Sequence, residues 1–396
     1  MTPEQQALLF CARVDLDDGA RGDLAALLRG GIDFAALGSE ARRHGMGALL
    51  WRRLSDVAES GCPPETLAAL RAEAQESAVA GLALAGELVA LLAGLREAGV
   101  TALAIKGPVS ALLAYGDLGL RRFSDLDLLV APGDVAAAAG HLEGRGYVPR
   151  YGLSPAWRAR LVHTDSELTF EHADRGTLVD LHWSLLPRGY SFTPGLDEVF
   201  SRQRTMRIGA GEVRTLALEP TLLFLLLHGI KHGWQRLGWL CDVAQIIGRH
   251  AELDWAIVAA WSSVAGRRRL IDVGLTLAHD LLRAPVPRDL LVRGGADPAV
   301  GRIAQSLARR LFAAPPADRR APRAIFSDPY LMAMQRTSDR LRFLHDVVLR
   351  PTPLEWQALP LPVPLAPIHY VFRPLRLLWK HGRPRRRDLP DAGVWI

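Results

Sequence analysis

Cysteine is scarce in this chain of 396 residues: Cys11, Cys62 and Cys241 are all it has, too widely spaced to form a metal-binding pair. That scarcity excludes a disulfide-stapled scaffold and predicts reduced thiols in a cytoplasmic protein. Lysine is as rare. Only Lys106, Lys231 and Lys380 stand among 48 Lys and Arg residues, so arginine carries the net charge of +6. A basic balance of this kind suits an anionic partner, but it equally follows from an Arg-, Ala- and Leu-rich composition and selects no function class. The proline-free uncharged runs around 78–86, 221–227 and 255–266 fall short of the roughly 18 to 20 residues that span a bilayer, and the longer 356–372 is broken by prolines. The N-terminus, Met-Thr-Pro-Glu-Gln-Gln, has no basic region leading into an apolar run, which predicts no signal peptide. No internal repeat is visible. A chain with 49% hydrophobic and 23% charged residues has material for two or three domains with substantial cores.

Helical spacing of apolar residues runs through the first region, 1–98, most clearly in Phe34-Ala-Ala-Leu37 and from Pro64 to Leu95. At Gly99 the pattern changes. Val100-Thr-Ala-Leu-Ala-Ile105 reads as a short strand, Lys106-Gly107-Pro108 stops it, and proline at a first helical position predicts a helix onward to Tyr115. A second strand follows in Phe123-Ser-Asp-Leu-Asp-Leu-Leu-Val130, closed by the turn Ala131-Pro-Gly-Asp134 and a helix over 135–142. Segments 167–171 and 177–183 alternate as strands about a turn at Asp174-Arg-Gly176. The expected fold is therefore α+β, a small mixed sheet over 99–218 embedded in helical regions at 1–98 and 219–350. Six prolines from Pro351 to Pro367 predict an extended arm over 351–396, which ends in Arg373-Pro-Leu-Arg-Leu-Leu-Trp-Lys-His-Gly-Arg-Pro-Arg-Arg-Arg387.

Chemistry concentrates in that sheet. Strand alternation puts Asp125 and Asp127 on one face, opposite Leu126, Leu128 and Val130, and in 178–183 it puts Asp180 with His182, opposite Val179, Leu181 and Trp183. Asp is depleted in strands, and two like charges sharing one face need solvent or a cation to offset their repulsion. Asp-x-Asp alone is as readily a capped strand end. With Lys106-Gly107 at a helix start, where backbone N–H groups suit phosphate, and Asp180 downstream, the set predicts a site for Mg²⁺, or Mn²⁺, and phosphoryl or nucleotidyl transfer. His182 reads either as a core histidine or as a substrate contact. His228 and His232, four apart on a helix, have the spacing of a zinc pair but no third ligand at characteristic distance; with Lys231 and Asp242 they make a candidate substrate cleft. Asp242 reads equally as a helix-packing partner.

The run Ile105-Lys-Gly107, Tyr115-Gly-Asp117, Leu120-Arg121, Ser124-Asp-Leu-Asp-Leu-Leu-Val130, Gly146-Tyr147 and Val179-Asp-Leu-His-Trp183 resembles the uncharacterised bacterial nucleotidyltransferase family of the DNA polymerase β-like superfamily. Leu218-Glu-Pro220, His228, His232 and Leu240-Cys-Asp242 extend the likeness, which covers roughly 82–247. The resemblance implies that Asp125 and Asp127 bind catalytic metals and that Asp180 is a third ligand or the base for the acceptor hydroxyl. It implies an NTP co-substrate, transfer of NMP, and an acceptor of unspecified kind, with a small molecule or peptide favoured and nucleic acid still open. One departure is visible: the superfamily's Gly-Ser pair is replaced by Lys106-Gly107. Lys106 then supplies charge in place of the serine hydroxyl, with Arg121 or Ser124 assisting at the phosphates. The same departure leaves open a degenerate, nucleotide-binding or regulatory protein on this scaffold. For the C-terminal arm the sequence allows a solvated basic end, a peripheral membrane contact through Phe372, Leu375, Leu378 and Trp379, or nucleic acid, though no interleaved aromatic and basic platform repeats there.

Overall fold

Seven strands form one mixed sheet: β1 (Ala102–Ala104), β2 (Asp125–Val130), β3 (Tyr147–Pro149), β4 (Glu167–His172), β5 (Leu178–His182), β6 (Gln203–Ile208) and β7 (Gly211–Leu216), in the spatial order β3-β4-β5-β2-β1-β7-β6. The computed structural model describes residues 1–57, 61–313 and 329–382, the side chains of 380–382 excepted. Helices flank the sheet, so the architecture is α+β as the sequence pattern predicts. Two pairings matter for the site. β2 runs parallel to β5 with Asp127 opposite Asp180, and β4 runs antiparallel to β5 with Glu167 opposite His182 and Thr169 opposite Asp180.

Alternation divides the two faces as expected. Leu126, Leu128, Val130, Val179, Leu181 and Trp183 enter one core, where the C-terminal half of the Pro64–Glu97 helix supplies Leu88, Leu91, Leu92 and Leu95. On the opposite face Leu103, Ile105 and Leu129 pack with Phe224. A third core joins the first helices to the later ones: Leu8, Leu24, Leu37 and Leu50 share it with Leu222, Leu226, Val273 and Leu277. The helices on either side of the sheet in sequence are thus one packed layer in space.

Three features depart from the sequence reading. The hairpin of β6 and β7, turning at Gly209 with φ +57°, adds two strands at one edge, and β7 lies parallel to β1. The Pro64–Glu97 helix, 34 residues long, is long and apolar enough to cross a membrane by length and composition, because the single charge of Glu87 ends an uncharged run without ending a helix. Here Glu87 accepts a hydrogen bond from Tyr147 Oη at 2.9 Å, and the helix packs on the sheet.

The third concerns the proline-rich arm, which is not extended. It folds into helices Pro353–Ala358 and Ile368–Gly382, the latter with Pro374 inside it. Pro353 sits in the first turn of its helix, where a missing N–H costs nothing. Fully buried Glu355 anchors the pair: it accepts from Thr352 N at 2.8 Å and Arg373 Nη1 at 2.9 Å, and Arg376 Nε adds a further bond. Trp356 stacks on Trp157 with ring centres 4.6 Å apart, which ties the arm to the sheet's helical cover. The basic run beyond Gly382 lies outside the described residues.

Candidate active site

β1 ends where the chain must turn sharply beneath β2. Gly107 adopts φ +64° and ψ −124°, and a Cβ there would stand 3.1 Å from the backbone oxygen of Asp125, so a side chain would be strained by conformation and crowded by contact. Pro108 then opens the Pro108–Tyr115 helix. This turn delivers Lys106 to the aspartates: its Nζ lies 2.8 Å from Asp127 Oδ1.

The parallel register sets Asp127 beside Asp180, and His182 reaches back so that its Nε2 lies 3.1 Å from the same Asp127 Oδ1. On its other side His182 Nδ1 lies 3.1 Å from Glu167 Oε2, a charge contact at an angle too poor for a hydrogen bond. Thr169 Oγ1 donates to Asp180 Oδ1 at 2.6 Å. Ligand atoms of Asp127, Asp180 and His182 all fall within 4.8 Å of one another. Asp125, two residues before Asp127 on the same strand face, lies outside that group of three but near enough for the charge of Asp127 to act on it.

Charge is unevenly shared across this patch. Burial would raise the Asp127 carboxyl, but Lys106 and His182 outweigh it and hold the group at about 2. Burial, with the charge of Asp127 added, pushes Asp180 up to about 6. Asp125 is raised for the same two reasons, and Lys106 and Arg121 offset only part of it. His182 is pulled down by burial but carried up to about 10 by Glu167 and Asp127, so it stands as a cation between two carboxylates. Glu167 sits below its usual range because His182 outweighs the effect of burial. Asp127 is therefore neutralised by the protein's own cations, whereas among the described residues no ion pair offsets Asp125 or Asp180.

Helix Leu218–Lys231 walls the other side. Lys106 Nζ lies 5.9 Å from the centre of the Phe224 ring, and one turn on stands His228. The His228 and His232 rings are 4.5 Å apart, each 5.6 Å from the Trp239 ring. Burial first and the charge of Lys106 second depress His228 well below its ordinary value, so it is neutral. Lys231 is close enough for its charge to act on Glu167. His228, Lys231 and His232 are half-buried on this wall, and among the described residues no cluster of three ligands includes the histidine pair as a zinc site would require.

Two residues that the sequence leaves open between two roles, Asp242 and His182, have defined surroundings in the structure. Asp242 is 1% exposed and braces the fold, accepting from Tyr115 Oη at 3.0 Å and Arg121 Nε at 2.8 Å. A carboxylate so placed faces a largely buried guanidinium and not a cleft. His182, read as a core histidine or a substrate contact, is buried within the site with its ring nitrogens against the carboxylates of Asp127 and Glu167. Arg121, held at Nε, still acts electrostatically on Asp125, while exposed Ser124 offers its backbone N–H to that carboxylate. Glu167 and Thr169 went unnoticed in the sequence. Their signal is the polar face of β4, which alternates Glu167, Thr169 and Glu171 against Leu168 and Phe170.

Residues 30–283 match the profile of a family described as uncharacterised nucleotidyltransferase. No curated protein matches the chain. Among solved structures, an antigenic nucleotidyltransferase-like protein from Paracoccidioides brasiliensis is similar at 15% identity, over 51% of this chain and 93% of its own, with a TM-score of 0.30.

Proposed function

The chain belongs to the uncharacterised nucleotidyltransferase family, and we propose that it is a metal-dependent enzyme of the DNA polymerase β-like superfamily, moving NMP from an NTP to a hydroxyl or phosphate of a small-molecule or peptide acceptor. The observation that supports this reading is the meeting of Asp125, Asp127 and Asp180 on one sheet face with two of the three raised above their ordinary range. Surplus negative charge at a partly open site suits a divalent cation, and oxygen donors suit Mg²⁺ or Mn²⁺. Asp125, Asp127 and Asp180 would hold it. When bound, it would neutralise the triphosphate and lower the pKa of the attacking hydroxyl.

The chain's own groups have separable tasks. Cationic His182 fixes the Asp127 carboxylate and is too tightly engaged to act as a first-choice ligand. Lys106, at the mouth of the Gly107 turn, would exchange part of its contact with Asp127 for the β- and γ-phosphates, with Arg121 and Ser124 beside it. Asp180 would serve as third ligand or accept the proton of the acceptor. Lys231, His228, His232 and Trp239 would border the acceptor. Catalysis here is positioning and electrostatics, with pyrophosphate as leaving group.

One observation favours a second reading, a degenerate nucleotide-binding or regulatory protein: Asp127 Oδ1 is already met by both Lys106 and His182. The two readings part in one experiment. Purified protein, Mg²⁺ and NTP labelled at the α-phosphate are incubated with a deproteinised cell extract. Transfer of label to an acceptor, with release of pyrophosphate, is expected of the enzyme. Tight NTP binding by calorimetry without transfer or pyrophosphate release supports the binding protein.

A further inference from the structure

We propose that the helix Ile368–Gly382 docks along its length on an anionic lipid bilayer. One face of this helix is fixed to the protein. His369 is fully buried, with Nε2 donating to Leu359 O at 2.8 Å, and Arg373, 3% exposed, pairs with Glu355. Among the described residues the other face has no comparable cover. Ile368, Val371, Leu375 and Leu378 are 46, 65, 59 and 70% exposed, and their spacing of three, four and three residues lays them in one stripe. Leu365, 45% exposed, continues the stripe one turn earlier, and exposed Trp379 lies at its far end. Single exposed apolar residues are ordinary, but an ordered stripe of five on one helix is the signature of a surface that meets something apolar.

Charge identifies the partner. Directly after the stripe the sequence carries Lys380, Arg383, Arg385, Arg386 and Arg387, with no acidic residue before Asp388. An apolar helical face followed in the sequence by a run of cations matches the acyl boundary and the anionic headgroups of a bilayer together. A second copy of the chain would cover the stripe, but with the same net charge of +6 it offers no anionic surface to match the cations. Because the buried side of the helix is already anchored through Glu355, docking requires no unfolding of the arm.

The test is co-sedimentation of the full-length protein with vesicles at low salt. The protein is expected to bind mixed phosphatidylcholine and phosphatidylglycerol vesicles, to be released by high salt, and to ignore phosphatidylcholine alone. The double variant Leu375→Asp/Leu378→Asp should partition at least about tenfold less, with an unchanged circular dichroism spectrum, because both side chains are exposed. The triple variant Arg385→Ser/Arg386→Ser/Arg387→Ser should lose about a hundredfold through charge alone. A parent protein that stays in the supernatant with anionic vesicles overturns the proposal. So does equal binding by the Leu375/Leu378 variant, or a dimer in gel filtration that this variant converts to a monomer without any vesicle binding.

Discussion

Asp180→Asn is expected to lower NTP turnover by about a thousandfold while raising the melting temperature of the metal-free protein. The first effect follows from the removal of a carboxylate that would share the metal charge: a loss of several kcal/mol in the transition state corresponds to about three orders of magnitude in rate. The second follows from the charge imbalance. Burial and the neighbouring Asp127 raise Asp180 to about 6, against about 3.9 in an unfolded chain. A carboxyl whose folded value is raised destabilises the fold when ionised. The penalty is absent below about pH 4, grows up to about pH 6 and is complete above that. Asparagine removes it, and its carbonyl still accepts the hydrogen bond from Thr169. Because the site is partly open to solvent, a gain of about 1 to 2 kcal/mol is expected at pH 7.5, shrinking towards pH 4. Thermal melts of parent and variant in chelator, across that range, measure the difference. A variant that melts lower at pH 7.5 and keeps parental turnover contradicts the account.

Asp242→Ala is expected to destabilise the fold by about 2 to 4 kcal/mol, because it strands the largely buried Arg121 guanidinium and the buried Tyr115 hydroxyl at once. Asp242 lies on the helix Leu237–Arg249, whereas Tyr115 and Arg121 belong to the segment between β1 and β2. The contact therefore joins the helical layer to the segment that carries Lys106. Urea unfolding of parent and variant measures the loss, and turnover should fall as well, since Arg121 would no longer be held beside Asp125. An alanine variant with parental stability and a raised KM would instead place Asp242 against substrate.

The aspartates were legible in the sequence because strand alternation is local: Asp125 with Asp127, and Asp180 with His182, share faces by period alone. Their meeting was not, because the parallel register of β2 on β5 joins residues 53 positions apart, and no local rule fixes it. The same limit hid Glu167 and Thr169, whose strand could be read but whose partner strand could not. Scarcity was a usable signal. Of the three lysines, Lys106 touches Asp127 and Lys231 acts on Glu167, both within the candidate site. Asp242 stayed open between cleft and helix packing because a carboxylate lining a cleft and one buried against arginine look alike in sequence; its contacts with Tyr115 and Arg121 are those of the packing partner. The arm misled, since prolines that break helix interiors also begin helices, as Pro353 does.

The central claim is that Asp125, Asp127 and Asp180 receive an NTP through divalent metal. The most direct measurement is an experimental structure with Mg²⁺ and an NTP analogue that cannot be cleaved between its α- and β-phosphates. The account predicts metal on these three carboxylates, the α-phosphate above them, and Lys106 turned from Asp127 towards the β- and γ-phosphates. A triphosphate bound elsewhere, with Lys106 and His182 still closed on Asp127 and no metal between the aspartates, would contradict it.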